Sequence, residues 1–254
     1  MSAKLTEEQI SQALVCDAKP RALGWINCVC LSIAGLLLLL ASVLAWSTLT
    51  VGSITLAVVR PAGLVLVLDV ADPGQDLILK WDAAEDKFCN PPSNSSKGRQ
   101  ICDKTKDIKT TMDVGQPILI FAGILFVCGA ITQLAVYGCP CPCTRHGGAR
   151  RVADMCGVAV AVVMLLAALG AGAAMWSTAD TWLNDVVRDL LPDNPDNLIH
   201  TGSGPAGFCF VFSLISAVIG VVAASATSYY VGQTDTRLRN GTMTTKNPIA
   251  SSRV

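Results

Sequence analysis

Read for hydrophobic periodicity, the chain alternates between long apolar runs almost free of charge and shorter polar connectors. Four runs are long enough to cross a bilayer as helices: about 24–46, 115–137, 152–176 and 206–230. Each supplies the roughly 20 apolar residues that a helical span needs. The first follows the polar segment 1–22 and is longer than a signal-peptide core, so it is expected to stay in the protein. A fifth apolar stretch, "VGSITLAVVRPAGLVLVLDV" (51–70), is interrupted at its centre by Arg60-Pro61. The halves are rich in Val, Ile and Leu and of strand length. "SITLAVV", "GLVLVLDV" and "LILKW" therefore read as three strands joined by turns at "RPAG" and "ADPG".

The expected fold class is thus membrane α-helical: a four-transmembrane helix bundle with a small extracellular β-sheet in the first outer loop, 47–114. The second outer loop, 177–205, opens with "STADTWLNDVVRDLLP". There Trp182, Val186 and Leu190 recur every four residues, a helix with one apolar face expected to cover the sheet. At the other end, Thr6 and Gln9 form a capping box for a short helix in the 1–22 segment. The tail 231–254 has no apolar periodicity and is expected to be disordered.

Composition agrees. Apolar residues make up 52% and charged residues 15%, where soluble domains carry about a quarter charged. Net charge is zero, so nothing argues for a nucleic-acid partner, and the lipid bilayer is the first partner implied. The sign pattern sets an orientation. The loop 138–151 has Arg145, Arg150 and Arg151 without an acid, whereas 177–205 has Arg188 against five aspartates. The positive-inside bias then places both termini and the 138–151 loop in the cytosol. The expected location is the plasma membrane, with another membrane of the secretory pathway as the alternative.

That orientation decides the cysteine chemistry. Cys89 and Cys102 are alone in the long outer loop, where an oxidising compartment favours their pairing. Asn94-Ser95-Ser96 between them is a glycan acceptor, while the Asn240 sequon lies in the tail and should stay bare. The "CPCPC" run, Cys139, Cys141 and Cys143, faces the reducing side. Beside arginines at a membrane it suits reversible palmitoylation; inert thiols and a zinc site remain open, the last against the usual ligand spacing. Cys16, Cys28, Cys30 and Cys156 are expected near the same face.

Enzyme chemistry finds no footing. The spans hold almost no ionisable groups: Asp113 and Asp154 lie at edges, and Gln133 is the strongest polar side chain within. "GSGPAG" (202–207) matches a dinucleotide-binding pattern by letter, but no strand is expected before it. "DNPDN" (193–197) lacks calcium-loop spacing. His146 and His200 fall on opposite sides of the membrane. No cofactor and no metal centre are expected. Small residues four apart (Gly157/Ala161, Ala167/Ala171, Ala168/Gly172, Ser213/Ala217, Ser216/Gly220) suit close helix packing, within the chain or between copies. The terminal Ser252-Arg253-Val254 offers a PDZ-type strand-addition motif ending at Val254.

Over about 23–230 these features resemble the claudin-like superfamily, which includes claudins, peripheral myelin proteins, channel-associated gamma subunits and amastins. The likeness rests on four spans with cytosolic ends, a long strand-rich first outer loop, and Trp46, Trp81, Cys89 and Cys102 within it. The resemblance implies that Trp46 starts the loop, that Trp81 is the tryptophan near the cysteines, and that Cys89 and Cys102 form its disulfide. Lys80 stands before Trp81 where a claudin has Gly-Leu, and the cysteine spacings are longer. The implied role is non-enzymatic: organising lateral or extracellular contacts, or, as the alternative, controlling ion passage as an auxiliary channel subunit or pore-former. For the alternative, Asp82, Glu85, Asp86 and Lys87 are the charges that could line a path.

Overall fold

The computed structural model describes residues 18–51, 54–66, 77–89, 96–138, 147–190 and 199–239. The elements run α1 (Ala18–Ala41), β1 (Ser47–Val51), β2 (Ile54–Arg60), β3 (Gly63–Leu66), β4 (Leu77–Lys80), α2 (Trp81–Cys89), α3 (Ser96–Gly138), α4 (Gly147–Leu190), β5 (Ile199–Ser203) and α5 (Pro205–Arg239). Four helices, α1, α3, α4 and α5, are long and apolar enough to cross a membrane. The stretch 51–70 forms no fifth span: its described residues lie in β1, β2 and β3, with the turn between the last two at Pro61-Ala62.

Helix ends differ from the sequence expectation in both directions. α1 stops at Ala41 instead of Trp46, because the chain turns there. The Ser42 amide bonds the Leu38 carbonyl at 2.9 Å, and the Ser42 hydroxyl donates to the Leu39 carbonyl at 2.7 Å. The other three overrun their apolar limits. α3 starts at Ser96 instead of 115, α4 joins the third span to the outer helix expected at 177–192, and α5 continues to Arg239. Residues 231–239 are therefore helical instead of disordered. At 43 and 44 residues, α3 and α4 are each about 65 Å long, twice the hydrocarbon thickness.

Buried positions in these helices follow a three-four spacing. In α3 they include Thr105, Ile108, Met112, Gly115, Leu119, Ala122, Phe126 and Ala130; in α1 they include Gly24, Asn27, Leu31, Ala34, Leu38 and Ala41. Such a stripe keeps one helix face against its neighbours. In α1 the buried side is mostly small, whereas Trp25, Ile26, Val29, Ile33, Leu36 and Leu40 point outward and are about half exposed. A bilayer accounts for this inversion, since lipid solvates large apolar groups and close backbone approach needs small ones.

The chain divides into two compact units. One comprises Ala34–Leu125 and Met164–Ile215; the other comprises Met1–Ile33, Phe126–Val163 and Ser216–Val254. The first contains the whole sheet. Its five strands are antiparallel in the order β4-β3-β2-β1-β5, with a register shift at Leu49/Thr50. Three strands match expectation, with β3 ending at Leu66. β1 and β5 were not anticipated, and β5 brings a strand from the second outer loop into a sheet expected only in the first.

Helix packing within each unit explains the small residues. In the sheet-bearing unit, Gly123 lies against the Gly35 carbonyl, Gly172 under the Phe210 ring and Gly115 against Met175. The Ser213 hydroxyl donates to the Ala34 carbonyl at 2.9 Å, and Gln116 Nε2 to the Ser42 carbonyl at 3.0 Å. In the other unit Gly220 lies against Leu31 and Asn27, and Gly129 against Leu31. Buried Ala168, Gly172, Ser213, Ala217 and Gly220 thus serve contacts within the chain, whereas Gly157 and Gly170 face open space.

Candidate functional site

The sheet, α2 and the helix ends of the first unit around them form one module, called outer for the side on which the sequence expects it. One face of the sheet carries Ser47, Ala57, Val59 and Leu64, all buried, with Val59 fully so. The other face carries a cross-strand row, Thr48, Val58, Val65 and Ile78, paired in register across four strands. Val65 is buried, while Ile78 on the edge strand β4 is 67% exposed. The turn into β3 requires glycine. Gly63 has φ +151°, and a Cβ there would stand 2.4 Å from the Leu79 carbonyl oxygen.

Directly after β4 the chain turns into α2, and Trp81 becomes the hub. Its indole is 4% exposed, and its Nε1 donates to the Arg60 carbonyl at 3.1 Å. Trp182 from α4 meets Trp81 edge-on with centroids 5.7 Å apart, and meets Phe88 at 6.4 Å. Trp182 Nε1 donates to Thr105 Oγ1 of α3 at 3.2 Å, and the Thr105 hydroxyl in turn donates to the Ile101 carbonyl. The apolar face expected on 177–192 is real at Trp182, but it covers α2 more than the sheet. Asn184 of that helix meets β5 by accepting the Thr201 hydroxyl. The side chains of Val186 and Leu190 lie outside the described residues.

Two electrostatic ties surround the aromatic cluster. Lys109 Nζ contacts Asp82 Oδ1 at 2.6 Å and Glu85 Oε2 at 2.8 Å; Lys104 Nζ contacts Asp185 Oδ2 at 2.6 Å. Asp82 and Glu85 are therefore engaged by α3. The Lys109 hydrogen bond, then its charge, hold the Asp82 carboxyl below the usual carboxylate range, with Lys80 adding a smaller pull. A lowered folded pKa gives a contribution present above the unfolded value of 3.8 and lost as pH falls through the folded one. Hydrogen-exchange protection of α2 should therefore stay flat from neutral pH to about 5 and fall only below the ordinary carboxylate range. Loss of protection near pH 6 would contradict this ion-pair tie.

Cys89 and Cys102 are joined by a disulfide across 13 positions, linking the end of α2 to the start of α3. The two thiols expected to pair from their isolation do so. Closing a loop of this length is worth on the order of 3 kcal/mol in the chain-entropy account. Cys89→Ser with Cys102→Ser should lower the thermal midpoint in detergent by several degrees and raise α2 exchange first. An unchanged midpoint would show that the ion pairs and aromatic cluster hold α2 without it.

The last element of the site is a weld between strand ends. Trp46, fully buried, donates its amide to the Val59 carbonyl at 2.8 Å and packs on Phe210 with centroids 5.6 Å apart. Its carbonyl accepts the Gly204 amide, and the Ala45 carbonyl accepts the Ala206 amide, both at 2.9 Å. The "GSGPAG" stretch is thereby explained. A strand does precede it, β5, contrary to expectation. Its glycines serve packing: Gly204 abuts the Ala45 backbone, and a Cβ at Gly207 would stand 3.4 Å from the Trp176 ring. Trp46 thus stands at the entry to this module, and Trp81 anchors it.

No family model matches this chain, and no curated protein is similar to it. The outer module must be judged by its own geometry. Asn94, Cys139, Cys141, Cys143, Cys16, His146, the 193–197 stretch, the capping box at Thr6 and Gln9, and Val254 lie outside the described residues. Of the thiols expected at one membrane face, Cys28 turns inward, buried and directed at the Ala130 carbonyl at 3.4 Å, while Cys156 is exposed. Lys104, Lys109, Thr105 and Phe88 were not singled out from sequence. The three-four spacing of Thr105, Ile108, Met112 and Gly115, which carries the apolar stripe outward past the last charge-free residue, was the signal for α3.

Proposed function

We propose that the chain is a non-enzymatic integral membrane protein of claudin-like architecture that organises lateral or extracellular contacts at the cell surface. The observation that carries this reading is the pairing of β5 with β1. It merges both outer loops into one module, braced by α2, the disulfide and the ion pairs. A rigid sheet offering an edge strand and an exposed Ile78 is a surface suited to strand addition or apolar docking. In this reading the termini are cytosolic and the membrane is the plasma membrane. Asn94 carries a glycan, Cys139, Cys141 and Cys143 are palmitoylated, and Val254 is open to a PDZ-type partner.

The second reading, an auxiliary channel subunit or pore-former, rests on Asp82, Glu85, Asp86 and Lys87. Engagement of Asp82 and Glu85 by Lys109 favours the first, because carboxylates that share a bound ammonium attract passing cations less than free ones.

Crosslinking on intact cells, with conductance measured in a monolayer expressing the protein, separates the two. The organiser reading expects a crosslinked partner that Ile78→Asp abolishes while thermal stability and conductance hold. A conductance change that Asp86→Asn removes, with stability intact, would overturn it. An epitope inserted at Gly147 that is digested by protease from outside would overturn the orientation.

A further inference from the structure

Charge is distributed very differently over the two compact units. Among the described residues, the sheet-bearing unit holds as many acidic as basic side chains. The described helices of the other unit hold Lys19, Arg21, Arg150, Arg151, Arg237 and Arg239 against Asp154 and Asp235 alone. All six basic positions lie in the first turns of α1 and α4 or the last turn of α5. The 126–138 part of α3 in this unit carries no charge.

The same unit supplies a depth marker. Trp25 is 48% exposed near the start of α1, and Tyr229 and Tyr230 are 63% and 44% exposed at the end of the apolar part of α5. The tryptophans of the outer module are buried instead. Exposed Trp and Tyr at span ends mark the headgroup level. Lys19 and Arg21 precede Trp25, Arg150 and Arg151 precede the candidate span beginning at Cys156, and Arg237 and Arg239 follow Tyr230. At 1.5 Å per residue these positions lie about 2 to 14 Å beyond the ends of the candidate spans at Ala22, Cys156 and Tyr230. That is the headgroup zone and about one Debye length past it, where a fixed charge still feels lipid phosphates and carboxylates.

We propose that these basic helix ends enrich anionic phospholipid headgroups around the protein in the leaflet they face. The occupant is the lipid itself, chosen by charge complementarity: net positive helix termini just beyond the apolar spans, on helices whose large apolar side chains are exposed. This goes beyond the proposed contact-organising role and does not depend on it.

The test is the full chain reconstituted in phosphatidylcholine containing spin-labelled phosphatidylserine or phosphatidylcholine, with the motionally restricted fraction read by electron paramagnetic resonance. Phosphatidylserine should be preferred about threefold at low salt, falling towards parity in 1 M salt. The variant Arg150→Gln, Arg151→Gln, Arg237→Gln, Arg239→Gln should bring the ratio close to one with the Cys89–Cys102 bond still formed. Asp154→Asn with Asp235→Asn should raise it, and decides the matter if the fourfold variant does not accumulate. No preference in the native chain, a preference untouched by the arginine changes, or no rise in the aspartate variant overturns the proposal.

Discussion

Trp182→Ala will unfold the outer module while the apolar helices persist. The substitution removes a ring that is 2% exposed and that touches Trp81, Phe88 and Thr105 on α2 and α3. Deleting a buried aromatic to Ala costs about 3–5 kcal/mol through lost transfer free energy and the cavity left behind. Nothing nearby can fill that space. Trp81 is fixed by its bond to Arg60 and by the start of α2, and Phe88 sits next to the disulfide. The expected result is loss of exchange protection across α2 and β4 with the far-ultraviolet helical signal nearly intact. Trp182→Phe keeps most of the ring but loses the Nε1 bond to Thr105 and part of the packing, so it should cost about 1–2 kcal/mol. Equal losses from the two variants would mean that the hydrogen bond, and not the packing, holds the module.

Gly204→Ala is the second large effect, and it acts through the backbone. A Cβ at 204 would lie 2.2 Å from the Ala45 carbonyl oxygen and 2.6 Å from its carbon. That carbonyl accepts the Ala206 amide at the start of α5, and its neighbour Trp46 accepts the Gly204 amide. No rotamer can relieve a clash between two main chains, so β5 must move away from β1. The expected cost is about 3 kcal/mol, at the upper end for overpacking, with β5 amides exchanging first. Gly170→Ala is the matched control. Its Cβ would meet nothing within 4 Å, and replacing a helical Gly by Ala should stabilise by up to about 1 kcal/mol. If Gly204→Ala melts at the native temperature, the weld between α1, the sheet and α5 is not what holds the second outer loop in place.

The parts legible in the sequence were those written in local pattern. Charge-free length located four helices apolar enough to cross a membrane, and the Arg60-Pro61 break turned a fifth apolar run into strands β2 and β3. Isolation of Cys89 and Cys102 in one loop foretold their bond. What was misjudged lay where an element left the membrane. α3 was started at 115 because charges at Asp103, Lys104, Lys106, Asp107 and Lys109 mask a stripe that the buried residues reveal as continuous. β5 was missed because "IHTGS" has little strand propensity; it is a strand because β1 supplies its partner.

By itself, then, the sequence determined how many helices are long and apolar enough to cross a membrane, where β2, β3 and β4 lie and which cysteines meet, because each follows from hydrophobic length, a proline break or simple proximity. Only the tertiary structure decided which helix face looks inward, which charges are paired and which loops share a sheet. In a membrane both faces of a helix are apolar, so polarity carries no facing signal; residue size does, and size acts only against a neighbour. Lys109 finds Asp82 and Glu85, and Trp182 finds Trp81, because packing brings together positions 24 to 101 residues apart. No window along the chain contains that contact.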